Sequence, residues 1–203
     1  MLMIENLEVK GISAQGLCLQ AGDCVSLTAA SGMGKSLFLK ALADLLPNQG
    51  RLVLDGCERN DMAAPDWRRQ ITFVGAKPAW WEDRVVDHFN DLDWLRDILP
   101  LFDLDEKLID APVARLSTGE SQRLALIRAL EDVTEGRVRY LLLDEPTAAL
   151  DQAHQIMVEE VLSSYLKAGL VAVLFVSHDE RQVDRFAKRQ WQIYNRRVSE
   201  VRS

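Results

Sequence analysis

The sequence predicts an α/β domain built on a mostly parallel sheet, with an antiparallel β part at the N-terminus and a small inserted helical lobe. Three observations carry this. Tyr140 to Leu143 and Val171 to Val176 are continuous apolar runs, the pattern of strands buried on both faces. Strand-like runs alternate with helical stripes along the chain, the order that builds parallel sheets. The octapeptide Ala29-Ala30-Ser31-Gly32-Met33-Gly34-Lys35-Ser36 lies between an apolar run, Cys24 to Thr28, and a helical pattern, Leu37 to Leu46. That puts a polar loop at a strand's C-terminal end, where open α/β sheets hold ligands.

The elements follow in order. Met3 to Val9 reads as a strand and Leu17 to Leu19 as a short second one, with a turn at Gln20-Ala21-Gly22-Asp23. Arg51 to Leu54 is a strand closed by the turn signal Asp55-Gly56. Trp67 to Gln70 is helical and Ile71 to Val74 is a strand. From Lys77 to Ala114 no long β run occurs. Leu92, Leu95, Ile98 and Leu99 fall at helical spacing between acidic residues, and Pro100 ends that stripe. Ser117 and Glu120 fit a capping box opening the next helix, whose apolar side is Leu124, Leu126, Ile127 and Leu130. Ile156 to Leu166 is helical, and Trp191 to Tyr194 is a final short strand. One domain over 1–203 is expected: a core of 1–76 and 139–203, with a helical subdomain over 77–138.

The octapeptide has a specific chemistry. A triphosphate needs several backbone N–H groups converging on it, and glycines let the chain curl without a Cβ clash. The following helix start adds free N–H groups and a positive dipole end. Ala29, Ala30, Ser31, Gly32, Met33 and Gly34 form the cradle, Lys35 reaches the outer phosphates, and the Ser36 hydroxyl ligates a bridging Mg²⁺.

Composition excludes several classes. With 203 residues the chain suits one medium domain, and 48% apolar content supplies a core. The net charge is −7 and no basic stripe occurs, so no nucleic-acid partner is expected. Three separated cysteines, Cys18, Cys24 and Cys57, fit no metal-ligand spacing and imply a reducing compartment, with Cys24 read as a small buried hydrophobe. No secretory signal is legible at the start, and the longest apolar run, Leu170 to Val176, is too short to span a bilayer. No direct membrane insertion is expected.

The motifs together resemble the nucleotide-binding subunit of an ABC transporter: the loop Ala29 to Ser36, the signature Leu116-Ser117-Thr118-Gly119-Glu120, the acidic strand end Leu141-Leu142-Leu143-Asp144-Glu145-Pro146, the loop Ala148-Ala149-Leu150-Asp151, and His178. With Leu126-Ile127-Arg128 and the short lobe, the pattern is also similar to the FetA-like type of bacterial metal exporter. The resemblance implies ATP and Mg²⁺ as cofactors and hydrolysis of ATP. Asp144, ending a buried strand, can hold the metal's water shell. Glu145 resembles the family's general base, or else caps the segment after it. His178 resembles the residue that contacts the γ-phosphate and the catalytic water, or else is a cap. Ser117, Gly119 and Glu120 resemble the segment that closes on nucleotide held by a second copy, and Asp151 the residue that links the two halves. A homodimer formed on ATP binding is implied, with a transmembrane permease as partner and a place at the cytoplasmic face of the inner membrane. A soluble ATPase of this type, or a regulatory module with weak turnover, is the alternative.

The chain departs from the family pattern at four places. Ala29 replaces the usual first glycine and Thr118 a signature glycine. Ala76, in Gly75-Ala76-Lys77-Pro78, stands where a glutamine normally touches Mg²⁺. No aromatic near Val9 to Gly11 is available to stack on adenine. Trp80 and Trp81, directly after the Ala76 loop, read equally as lobe core or as a surface for a partner.

Overall fold

The computed structural model describes residues 1–134 and 136–201. The N-terminal part is a hairpin of β1 (Leu2–Val9) and β2 (Ile12–Leu19), turning at Lys10-Gly11. The second strand begins five residues before the run Leu17 to Leu19. Ile12 and Ala14 point inward while Ser13 and Gln15 face out, so small and polar residues hide a half-buried strand. β3 (Cys24–Thr28) runs into the polar loop and α1 (Lys35–Leu42). This helix ends four residues before Leu46. Leu45 N–H donates to Lys40 O (2.9 Å) and Asp44 N–H to Ala41 O (3.1 Å), with Asp44 at φ 56. That is a Schellman stop with aspartate in the glycine position.

β4 (Gln49–Leu54) turns into the two-residue β5 (Cys57–Glu58). α2 (Ala64–Gln70) starts with Pro65 in its first turn. Its Trp67 is fully buried and donates Nε1–H to Leu42 O (2.9 Å), pinning α2 to the end of α1. β6 (Ile71–Val74) follows.

Residues 77–138 form no strand among the described residues, only an isolated bridge, Arg84 with Pro112. α3 (Leu92–Ile98) is capped by Asp91, and short 3-10 turns lead to α4 (Thr118–Leu130). β7 (Arg139–Asp144), α5 (Gln152–Lys167), β8 (Val171–Val176) and α6 (Glu180–Phe186) complete the α/β alternation. The chain does not finish at Tyr194: β9 (Arg189–Tyr194) turns into β10 (Arg197–Val201). Only Val198 of β10 is buried, so its apolar signal is one residue long.

All strands join one sheet in the order β5-β4-β1-β2-β10-β9-β3-β8-β7-β6. From β9 to β6 the pairing is parallel. β10 joins the two parts, antiparallel to β9 and parallel to β2. β7 and β8 are buried on both faces. One face packs under α1 and α2 (Phe38, Leu39, Leu42, Trp67). The other packs under α4, α5 and the lobe, whose Leu95, Ile98 and Phe102 share a core with Leu141, Leu143 and Phe175.

Candidate active site

The loop after β3 is built by two left-handed glycines, Gly32 (φ 75) and Gly34 (φ 90). Gly34 is also the residue before α1, and a Cβ there would overlap Ile12 of β2, so the start of β2 lies against the loop. Ala29 is not among the residues with positive φ, so its methyl brings no backbone strain. Lys35 Nζ donates to Ala29 O (3.1 Å), which lays the ammonium across the loop's mouth. Ser36 follows in the first turn of α1, and the free N–H groups there favour an anion.

The acidic groups arrive from the neighbouring strands. β7 and β8 pair in register, Asp144 opposite Val176, and Glu145 N–H donates to Val176 O (3.0 Å). The residues just past both strands therefore meet. His178 Nε2 lies 3.0 Å from Glu145 Oε1. Glu145 holds φ 53, a left-handed conformation rare for glutamate and of the sort concentrated at functional sites. Neither residue caps a helix. Asp151 caps α5, accepting from His154 N–H (3.0 Å), and Asp179 caps α6, accepting from Arg181 N–H (2.9 Å). A cleft lined by Thr28, Lys35, Ser177, His178 and Gln192 brings the loop and His178 together.

Asp144 is buried at the end of β7. The Ser36 hydroxyl and the Asp144 carboxylate are hard oxygen donors, which suit Mg²⁺ when phosphates and waters complete its shell. Among the described residues no cluster of three or more His, Cys, Asp or Glu could hold a metal unaided. These residues fit the ion.

A buried network the sequence did not reveal holds these loops in place. Gln182 of α6 bonds Thr147, just past Glu145, through its amide (2.9 Å) and donates to Glu159 Oε1 of α5 (3.0 Å). Arg185 grips both Glu159 oxygens at 2.6 Å. The segments carrying Glu145 and His178 are thereby tied through two helices.

The signature segment stands apart from the loop. Ser117 Oγ accepts from Glu120 N–H (3.2 Å), and Glu120 Oε2 accepts from Ser117 N–H (2.8 Å), the reciprocal box expected. The Ser117 hydroxyl and N–H hold the Glu120 carboxyl below the usual glutamate range. Gly119 packs on the loop after β7: a Cβ would sit 3.3 Å from Leu150 Cδ2. Thr118 is exposed. Among the described residues no hydrogen bond joins Ser117, Gly119, Glu120 or Asp151 to the Ala29–Ser36 loop.

Residues 12–148 match the family model described as ABC transporter. The chain belongs to the ABC transporter family. It is 32% identical over 177 residues to the "Probable iron export ATP-binding protein FetA" of Escherichia coli K12, covering 82% of this chain and 77% of FetA. It is 33% identical over 178 residues to STAR1 of Oryza sativa subsp. japonica, covering 82% of this chain and half of STAR1's length (50%). A dimeric post-hydrolysis state of the ATP-binding cassette MJ0796 with ADP and Pi shares the fold: TM-score 0.77 over 100% of both chains, at 20% identity. This ABC domain binds and hydrolyses ATP, and domains of its kind typically work with a transmembrane permease.

At the Ala76 position the ABC domain has its own link. Gln122 of α4 donates to Ala76 O (3.3 Å) and accepts from Ala149 N–H (3.1 Å), joining the loops after β6 and β7. The signal for it was a glutamine on the apolar stripe that continues with Leu126. Beside it, Arg128 donates to Ala79 O (2.9 Å) and lies 4.6 Å from both the Trp80 and Trp81 rings. Burial lowers its pKa to about 10. Trp80 donates to Ser121 Oγ (2.8 Å), whereas Trp81 is 65% exposed. Trp80 therefore packs on the lobe core, and Trp81 stands at the surface.

Proposed function

We propose that the domain works as a homodimer closed by ATP, driving a separate transmembrane permease. The observation that carries this is the pairing of Glu145 and His178 beside the Lys35 loop. In this reading Lys35 and the N–H groups of Ala29–Ser36 hold the phosphates. Ser36 and Asp144 hold Mg²⁺, which when bound offsets charge on the outer phosphates. Glu145 takes the proton of the attacking water. His178 orients the γ-phosphate and keeps the Glu145 carboxylate aimed. Ser117 and Gly119 of one copy close on nucleotide held by the other, Glu120 keeps that segment in shape, and Asp151 links the halves in a two-fold sandwich. In this reading each chain alone supplies half of a site.

The permease docks at the cleft between the loop after β6 and α4, with exposed Trp81 as anchor. Residues 1–76 and 139–203 act as the nucleotide-binding core and 77–138 as the helical subdomain. No described helix is long and apolar enough to cross a membrane, so the inner membrane's cytoplasmic face is reached through the permease. Within the family the reading is a FetA-like metal-exporter type, and the 32% identity to FetA is what supports it.

Glu145→Gln tests the mechanism: it should bind ATP, dimerise and scarcely hydrolyse. Full turnover by that variant would remove Glu145 from its role. Co-purification from detergent extracts tests the rest. A polytopic membrane protein in the complex supports the transport reading, and a wholly soluble partner overturns it.

A further inference from the structure

The proposed ATP site has two flanks. Glu145 and His178 stand on the β7–β8 side of β3, and sheet order puts β9, β10, β2 and β1 on the other side. A nucleotide with its terminal phosphate at Glu145 must therefore run its sugar and base toward that second flank. Two turns stand there, Lys10-Gly11 between β1 and β2, and Asn195-Arg196 between β9 and β10. The first abuts the loop, because Ile12 touches the Gly34 position.

Neither Lys10 nor Gly11 carries a ring, but the place over Gly11 is filled. A Cβ on Gly11 would lie 2.8 Å from Nη1 of Arg196, and Gly11 itself holds φ 77. A side chain at Gly11 would push the guanidinium's end aside, and the left-handed backbone there disfavours one. Arg196 is exposed and its carbonyl accepts from Ser13 N–H (2.8 Å), which fixes the turn against β2. Among the described residues it makes no ion pair, whereas Arg189, at the opposite end of β9, is held by Asp23 and Glu200.

We propose that the Arg196 guanidinium, seated over Gly11, is the platform on which the purine base of the bound nucleotide stacks. This rests on reading Ala29–Ser36 as the triphosphate site. A planar, delocalised and weakly hydrated cation stacks on aromatic faces. Every purine presents such a face, so adenine and guanine are held about equally. The rival group is Tyr194, 69% exposed, which shares the strand face of Gln192 rather than that of Ile193.

The test is equilibrium binding to the full chain of three probes: non-hydrolysable analogues of ATP and GTP, and inorganic tripolyphosphate. Arg196→Asn is the main variant, because asparagine tolerates the left-handed backbone that Arg196 adopts (φ 60). It should weaken both nucleotides roughly five- to tenfold and leave tripolyphosphate unchanged. Arg196→Lys, which keeps the charge but not the plane, should behave like Arg196→Asn. Tyr194→Ala should bind as the parent does. Unchanged nucleotide affinity in Arg196→Asn overturns the proposal. So does an equal loss for tripolyphosphate, which would make Arg196 only a charge, or a loss confined to Tyr194→Ala. If the parent protein binds none of the three probes, or Lys35→Ala binds them as well as the parent, the triphosphate site itself is misread and the base platform falls with it.

Discussion

Nε2 of His178 lies 3.0 Å from Oε1 of Glu145, across the ends of two strands hydrogen-bonded side by side. The relationship depends on the register of β7 on β8 and on the left-handed backbone of Glu145. Changing either residue should show in turnover before it shows in binding. Glu145→Gln should lower ATP hydrolysis by about 10² or more while ATP still binds and light scattering shows a dimer. His178→Ala should also lose turnover and retain ATP affinity. A strictly monomeric ATP-loaded Glu145→Gln protein, with and without the proposed permease, would remove the proposed shared-site mechanism.

Gly34→Ala should be harmful in two ways. The added methyl would overlap Ile12, and its φ of 90 disfavours any side chain. The expected loss is about 1–3 kcal/mol in urea unfolding, with weaker nucleotide binding. By contrast a side chain at Gly32 would stand in open space, so Gly32→Ala should cost only the strain of the left-handed backbone (φ 75).

Arg185→Ala would leave the Glu159 carboxylate, whose side chain is 7% exposed, without its cation and with only the Gln182 amide donating to it. Breaking such a pair from one side costs about 3 kcal/mol. Denaturant unfolding would measure it, and a change below about 0.5 kcal/mol would mean that the pair behaves as an ordinary surface bridge. The same variant should reduce turnover, since the network reaches Thr147 beside Glu145.

The capping box makes α4 sensitive to acid. Hydrogen bonds from Ser117 lower the Glu120 pKa in the folded chain. A depressed carboxyl pKa contributes stability that is present above the ordinary glutamate value and is lost as pH falls through the lower folded value. Thermal unfolding followed downward from neutral pH should therefore show an acid loss that Glu120→Gln flattens. Ser117→Ala should cost about 1 kcal/mol at neutral pH.

Trp81→Ala should leave the isolated domain's stability and ATP affinity near those of the parent, because the side chain is 65% exposed. Recovery of the permease in pull-downs from detergent extracts should fall. Unchanged recovery would place docking elsewhere.

Much of this protein was legible along the chain. β3, β6 and β8 fall where the apolar runs put them, and the Ser117–Glu120 box forms as its spacing implies. β2 and β10 were obscured because their inward residues are small or single, Ala14 and Val198. α1 stops early because its end is set by a backbone motif at Asp44, not by the apolar pattern that continues to Leu46.

The sequence by itself determined the strand–loop–helix cradle of Ala29–Ser36, the order of the motifs and the alternating layers. Those properties depend on contiguous residues, whose spacing and backbone preferences are local. The tertiary structure alone decided that Glu145 faces His178, that Gln122 spans the Ala76 and Ala149 loops, and that Arg196 covers Gly11. Each joins residues far apart in the chain, and such pairs are set by strand register and helix packing, which no local pattern encodes.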